Sequence, residues 1–341
     1  SNRGLPMLSV DRRPASAHKE EQDEQTFRGA LNWLRMYSSL KLEAKAGYIY
    51  TDFRYIYKGD NGDGELKTMT DSRNYTNTLF ADLNAEYFIG NKWSFSGNIS
   101  VHQNMVSNRN RAIEDMAGEK QIIGYNKARP ELSGFVSARY KPHQRLGLAL
   151  NLREDWHGKG SSQFIPAGFA EHYILKDGSL IFKSSIARNY RFPTLNDLYF
   201  LPGGNPDLKP EYGFTYDAGM EYTGNFKTLQ IKGEASFFDS YIKDWILWIL
   251  ERPYPRPVNS KEVRSYGAEF KGNITWNFAK EWQLSMHGNY SISNSINRRE
   301  AFSTNDMSIG KQLPYIPKYS AAVTGNLKWK QWEFIYKWHY Y

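Results

Sequence analysis

The sequence predicts an all-β fold: an up-and-down antiparallel transmembrane β-barrel, of which about 14 strands are present. Three observations predict it. Apolar and polar residues alternate with period two over many segments, several longer than the ~5–6 residues of an ordinary soluble strand. Short and long connections take turns along the chain, as in a meander with one trimmed rim and one elaborated rim. Aromatic residues gather beside the short turns, where amphipathic rings favour a membrane–water interface.

Residues 1–25 end in the polar run Glu20-Glu21-Gln22-Asp23-Glu24-Gln25 and read as a long extracellular loop. Residues 26–341 read as about seven barrel hairpins, the first strand starting near Thr26. In Leu40-Lys41-Leu42-Glu43-Ala44-Lys45-Ala46 the even positions are apolar and the odd ones charged. Leu79, Ala81, Leu83, Ala85, Tyr87 and Ile89 continue the plan, as do Leu146, Leu148, Leu150 and Leu152. Trp282, Leu284, Met286, Tyr290 and Ile292 do so again. Short turns are expected near Gly90-Asn91, Pro142-His143, Asp177-Gly178, Gly224-Asn225, Lys280-Glu281 and Lys330-Gln331. Longer links are expected near 58–72, 107–126, 157–163, 191–210, 249–261 and 294–315.

The rings beside the short turns are Tyr87 and Trp93, Tyr222 and Phe226, Trp276, Phe278 and Trp282, and Trp329 and Trp332. Cross-strand packing in a soluble hairpin explains one such cluster. Its repetition favours a girdle. Long amphipathic strands with no helical layer to cover them are satisfied by lipid on the apolar side and water on the other. Counting turns, the chain begins and ends on the long-loop side, which is the expectation for a piece of a larger barrel.

Composition narrows the function classes. The 44 basic and 36 acidic residues give +8, spread along the chain, so no nucleic-acid footprint is expected. Cysteine is absent, which removes disulfides and thiol chemistry. No run of about 18 apolar residues offers a transmembrane helix. The start, Ser1-Asn2-Arg3-Gly4, is not followed by the apolar stretch of a signal peptide.

The stretch "RNYRFPTLNDLYFLPGGNPDLKPE", residues 188–211, breaks the alternation. Pro193, Pro202, Pro206 and Pro210 lack ladder donors, and Pro202-Gly203-Gly204-Asn205 is turn chemistry. Gly203-Gly204 neither opens a helix after a strand nor precedes a Lys-Ser/Thr pair, so it is not a phosphate cradle. Glu211 restarts alternation with Tyr212, Phe214, Tyr216, Ala218 and Met220 on one face. Ordering a surface loop and its strand entry is the preferred role, over direct ligand contact.

The order Phe192-Pro193-Thr194, Asp197-Leu198-Tyr199, then Gly204-Asn205-Pro206-Asp207-Leu208-Lys209-Pro210-Glu211 resembles the barrel signature of TonB-dependent outer-membrane receptors. Arg191 stands before Phe192, where the family pattern has it after. Asn259 with Val263, Tyr266-Gly267 and Glu269 is similar to a strand entry of that family, and so is Pro314-Tyr315-Ile316-Pro317-Lys318-Tyr319. Among subfamilies the chain looks most like the vitamin B12 (cobalamin) receptors. The resemblance implies about 22 strands in the intact barrel, an N-terminal plug absent from this chain, and a place in the bacterial outer membrane. It also implies active uptake of a scarce bulky nutrient, cobalamin first and an iron-siderophore second. The partners implied are the nutrient, outer-membrane lipid, and the TonB complex reached through the plug, with a surface lipoprotein a further candidate. A passive porin or fatty-acid-type channel and a soluble β-rich adhesin are the rival classes.

Within 244–258, "DWILWILERPYPRPV", Trp245, Trp248, Tyr254 and Arg256 are stiff, large groups expected at a long-loop tip. They are the best substrate-binding candidates, with Trp156 and Tyr199 as weaker members of the set; an extended hairpin packed on its neighbours is the competing explanation. No cofactor is expected. Asp60-Asn61-Gly62-Asp63-Gly64-Glu65 evokes a calcium loop, but glycines occupy two ligand positions, and a solvated loop is preferred. The seven histidines lack zinc spacing. His157, His172 and His287 sit singly in or beside strands, and no catalytic site is expected.

Overall fold

The computed structural model describes residues 18–60, 65–114, 120–158, 161–201, 203–251, 254–298, 309–313 and 316–341. Fourteen strands form one antiparallel sheet whose spatial order is the sequence order. They are β1 His18–Met36, β2 Leu40–Asp60, β3 Leu66–Ile89, β4 Trp93–Glu114, β5 Lys120–His143, β6 Leu146–His157 and β7 Ser161–Tyr173. There follow β8 Leu180–Arg191, β9 Glu211–Phe226, β10 Leu229–Glu251, β11 Tyr254–Ala279, β12 Trp282–Asn297, β13 Tyr319–Trp329 and β14 Trp332–Tyr340. Between β8 and β9 lies one helical turn, α1 Leu195–Tyr199. Among the described residues no ladder joins β1 to β14, so the sheet is an open barrel wall.

Register turns the alternation into two faces. Leu42, Ala44 and Ala46 of β2 stand opposite Ala85, Leu83 and Ala81 of β3, which stand opposite Gly97, Ile99 and Val101 of β4. Leu83, Ile99 and Val101 are exposed apolar side chains, as an outer, lipid-facing belt requires. Lys183, Glu221 and Lys232 face the other way and are joined by ion pairs at 2.8 and 2.9 Å. Rings cap the belt near the short turns. Trp93 stacks on Tyr140 at 4.2 Å, and Trp282 on Trp329 at 5.2 Å.

Several boundaries differ from the sequence reading. Residues 18–25, expected in a loop, are strand, because Glu20 through Gln25 pair in register with Tyr57 through Asp52. The turns expected at Pro142-His143 and Gly224-Asn225 fall at residues 144–145 and 227–228. Most of the expected long links are strand too: β4 runs to Glu114, β10 to Glu251, and β11 starts at Tyr254. For the strand ends on the long-loop side the physical reason is shared. Above the belt both faces meet water, so strand pairing persists on polar residues and the apolar alternation that marks a strand in sequence is lost. Residues 1–17, the calcium-like positions Asn61, Gly62, Asp63 and Gly64, and the motif residues Pro202, Pro314 and Tyr315 lie outside the described residues.

The rim is uneven. β4 and β5 have 22 and 24 residues and β10 and β11 have 23 and 26, whereas β6, β7 and β8 between them have 12, 13 and 12. A low stretch of wall therefore stands between two tall hairpins.

The assignment of faces is testable. Leu83→Arg places a charge in the outer belt and should cost roughly 2–4 kcal/mol, while an inner-face change should be near neutral. Asn289→Arg on the inner face is the comparison, read by denaturant titration in lipid vesicles.

Candidate functional site

The connection from β8 to β9 is built by its own sequence. Thr194 caps α1: its hydroxyl accepts from the Asp197 N–H at 3.0 Å, and the Asp197 carboxylate accepts from the Thr194 N–H at 2.9 Å. Gly204 closes the next turn, its N–H donating to the Phe200 carbonyl at 2.5 Å. A Cβ at Gly204 would lie 2.6 Å from the Phe200 nitrogen, so only glycine fits. The Asn205 N–H returns to the Asp197 carbonyl at 2.8 Å, which folds 191–211 into a compact strap.

Buried polar side chains tie this strap to the wall. Glu211, at 6 % exposure, receives a two-toothed contact from Arg191 at 3.0 and 2.5 Å and the Ile246 N–H at 2.7 Å. Asn205 donates to the Pro257 carbonyl at 3.0 Å. Asn259 exchanges hydrogen bonds with the backbone of Lys209 at 2.8 and 2.9 Å and donates to the Asp244 carbonyl at 2.7 Å. Asp244 has a φ of 54° at a break in the β10–β11 register, so Asn259 also holds a bulge in place. On the other side, Arg129 of β5 donates to the Pro193 carbonyl at 2.8 Å. Strands β6 and β7 lie between β5 and β8 in the sheet order. The strap therefore crosses the inner side of the low wall, tied to β5 at one end and to β10–β11 at the other.

The motif residues meet in this strap. Phe192 stacks on His157 with centroids 4.0 Å apart and meets Tyr190 edge-on at 5.3 Å. Pro193 and Leu208 are buried, Leu198 is half-buried, and Pro206 and Pro210 flank the turn into Glu211.

The predicted binding residues separate. Trp248 donates its indole N–H to the buried Asp197 carboxylate at 2.9 Å and packs edge-on against Phe200 at 5.9 Å, so it is joined to the strap. Tyr199, at the end of α1, lies under the Lys127 ammonium at 4.6 Å and beside the Tyr125 ring at 6.2 Å. Trp245 is half-buried at the bulge, opposite Lys261. Arg256 is exposed, opposite Ile249. Tyr254 pairs with Glu251 at the hairpin end, and its side chain lies outside the described residues. Trp245, Trp248, Tyr254 and Arg256 therefore sit on the paired β10–β11 hairpin and not on an open loop tip. Trp156 belongs elsewhere: it shares the outer face with Leu132 and is not brought to the others.

One cluster escaped the sequence reading. The hydroxyl of Tyr190 donates to Asp155 at 2.5 Å and lies 3.0 Å from His157 Nε2; Asp155 also accepts from Ser133 and from Arg153 at 2.7 Å. Glu131 accepts from Arg129 at 2.8 Å. His157 Nδ1 lies 3.4 Å from Glu131, too poorly aligned for a hydrogen bond. Glu131 and His157 lie just past the Leu132–Trp156 pair that tops the outer belt here. Burial alone would raise the Glu131 carboxyl, but His157 and Arg129 outweigh it and hold it down at about 2. A chain running Asp155-Tyr190-His157-Glu131-Arg129 thus underlies the strap where it leaves β8. His157 was the only one of its members singled out in the sequence, and its partners Glu131 and Tyr190 lie far from it along the chain, Tyr190 by 33 positions. Among the described residues no group of His, Asp and Glu is placed to hold a metal ion.

A wide antiparallel wall with a lipid-facing belt, a polar inner face and an inward-folded strap defines part of a large outer-membrane barrel. The chain belongs to the family described as TonB dependent receptor-like, beta-barrel, which it matches over residues 9–341. It is thus a protein of the outer membrane of Gram-negative bacteria. It is 24% identical over 172 residues to the pesticin receptor of Yersinia enterocolitica and 23% identical to that of Yersinia pestis, matches covering 50% of this chain and 23% of each relative. Among solved structures it is similar to the copper transporter OprC, with TM-score 0.72 and 17% identity over 94% of this chain and 53% of that one. The siderophore receptor PiuA of Acinetobacter baumannii gives 0.68 and 13%, over 90% and 53%. The ferric yersiniabactin uptake receptor FyuA of Yersinia pestis gives 0.59 and 16%, over 94% and 49%. These likenesses show the fold, and the chain spans about half the length of those structures.

Two outcomes follow. Asp197→Ala removes the α1 cap and leaves the Trp248 indole unpartnered; it should weaken the strap by about 1–2 kcal/mol. Limited proteolysis should then cut within 193–210 while the barrel stays intact. For Glu131 the carboxyl sits below its ordinary 4.5, so its stabilisation is complete above pH 4.5 and is lost as pH falls to about 2. Glu131→Gln should destabilise at neutral pH and flatten the acid dependence in that window, read as amide exchange around His157.

Proposed function

We propose that the intact protein is an active transporter, energised through TonB and a plug domain, that takes up a metal chelate of the iron-siderophore type. The observation that carries the cargo is that two of the similar structures are a siderophore receptor and a ferric yersiniabactin uptake receptor. The mouth suits this reading. Tyr199 with Lys127 and Tyr125, and Trp245 near Lys261, put aromatic faces and cations together on the inner side of the tall hairpins. Such groups suit a flat, anionic chelate. Cobalamin, the cargo suggested by the motif resemblance, is the competing ligand.

Titration of the whole receptor with a panel of ferric siderophores and with cobalamin decides between them. The expected result is saturable binding of one ferric chelate, weakened about tenfold or more by Tyr199→Ala, as for an aromatic anchor. Binding of cobalamin alone would overturn the cargo. Spontaneous conductance of the purified receptor, with no ligand bound, would overturn the transporter reading in favour of a passive channel.

A further inference from the structure

The imidazole of His157 sits where the strap leaves the wall, and its two nitrogens meet different partners. Tyr190 gives its hydroxyl proton to Asp155 at 2.5 Å. Its oxygen is then left to accept from His157 Nε2, 3.0 Å away, which fixes the neutral ring as the Nε2–H tautomer. Nδ1 therefore carries a lone pair. It is buried, makes no hydrogen bond, and lies 3.4 Å from Glu131 Oε1. Two acceptors face each other across that gap, an arrangement that costs free energy while the ring is neutral. A proton on Nδ1 turns it into a charge-assisted donor to Glu131.

Each element around the ring contributes differently. β5 brings Glu131, whose Oε1 also accepts from Arg129 at 2.8 Å. β6 brings Asp155, held by Arg153 at 2.7 Å. β7 pairs Ser161 with His157 and has no titratable residue from Ser161 to Ala170. β8 brings Tyr190, while Arg188 is engaged by Gln163 at 2.8 Å. On the strap side Arg191 is taken up by Glu211 at 3.0 Å. The cations near the ring are thus paired with carboxylates or an amide. Glu131, held down at about 2, stays ionised from pH 5 to 8, so His157 is the member of the chain that titrates there. The first residues of the strap ride on this chain. Phe192 stacks on the imidazole at 4.0 Å, and the Pro193 carbonyl accepts from Arg129 at 2.8 Å. An imidazolium bonds Glu131 at its edge and meets the Phe192 ring as a cation at its face, so both contacts strengthen together on protonation.

We propose that His157 is a proton-operated latch for the strap: protonated, it ties the β8 end of the strap to β5 through Glu131, and neutral, it releases that tie. The stabilisation is present at acid pH and is lost as pH rises through the imidazole range. The bonds that hold the other end, made by Asn205, Glu211 and Asn259, involve no imidazole, so the proton acts on one end of the strap. The latch is independent of the cargo.

The test is amide exchange on the full-length receptor in nanodiscs, with no ligand added. Protection of residues 192–200 is followed from about pH 5.5 to about pH 8 and corrected for the intrinsic pH dependence of exchange. Wild type should protect the segment about tenfold more at the acid end, as one charge-assisted hydrogen bond implies. His157→Gln and Glu131→Gln should each flatten that profile, while His287→Gln, on β12, should match wild type. Nitrogen NMR of the His157 ring in the wild-type receptor should show the Nε2–H tautomer at about pH 8 and a doubly protonated ring at about pH 5.5. A flat wild-type profile, or one of opposite sign, would overturn the proposal. So would a His157→Gln receptor that keeps the wild-type dependence, or an Nδ1–H tautomer at the alkaline end.

Discussion

Every backbone N–H and C=O that crosses hydrocarbon has to be bonded to a neighbouring strand, because lipid offers no partner and each orphan costs several kcal/mol. The other features of this chain depend on that constraint. It forces the strands into one continuous ladder from β1 to β14, and it fixes their register, since a slip of one residue would turn Leu83 and Ile99 inward and Asp82 and Ser100 into lipid. Once the ladder is in place, the side chains are free to differ: apolar outward, charged inward, aromatic at the girdles. The strap can abandon the ladder only because it lies above the membrane, and even there buried carboxylates and amides replace the lost backbone partners.

Those replacements explain why the motif has the residues it has. Asp197 caps a helical turn and receives the Trp248 indole; Glu211 holds Arg191 and a β10 backbone N–H; Asn205 and Asn259 bind carbonyls on β10, β11 and the strap itself. Asp197, Glu211 and Asn205 are buried polar groups whose burial is tolerated because their bonds are made. Replacing any one leaves its partners unsatisfied in a water-poor place, so the cost exceeds that of the bond removed.

The architecture was legible in the sequence wherever one face of a strand meets lipid. Leu40 to Ala46 and Leu79 to Ile89 declared themselves by alternation, and the rings beside Trp93 and Trp282 marked the rim. Strand ends were not legible, because Glu20 to Gln25 and Trp245 to Leu250 meet water on both sides or pack on the strap and carry no period. The pairing of Trp248 with Asp197 spans 51 positions, and that of His157 with Tyr190 spans 33, so neither leaves a local signal. Proline and glycine content showed that 191–211 leaves the sheet, but not that it folds inward across the low wall.

That inward fold has a mechanical consequence. The tall β4–β5 and β10–β11 hairpins share no ladder, yet Arg129 grips one end of the strap and Asn205, Glu211 and Asn259 grip the other. The strap is a tie-rod between two towers, and its length sets how far apart their tips can stand. A load that spreads or draws together one tower is transmitted to the other along a single covalent span, bypassing strands β6 to β9.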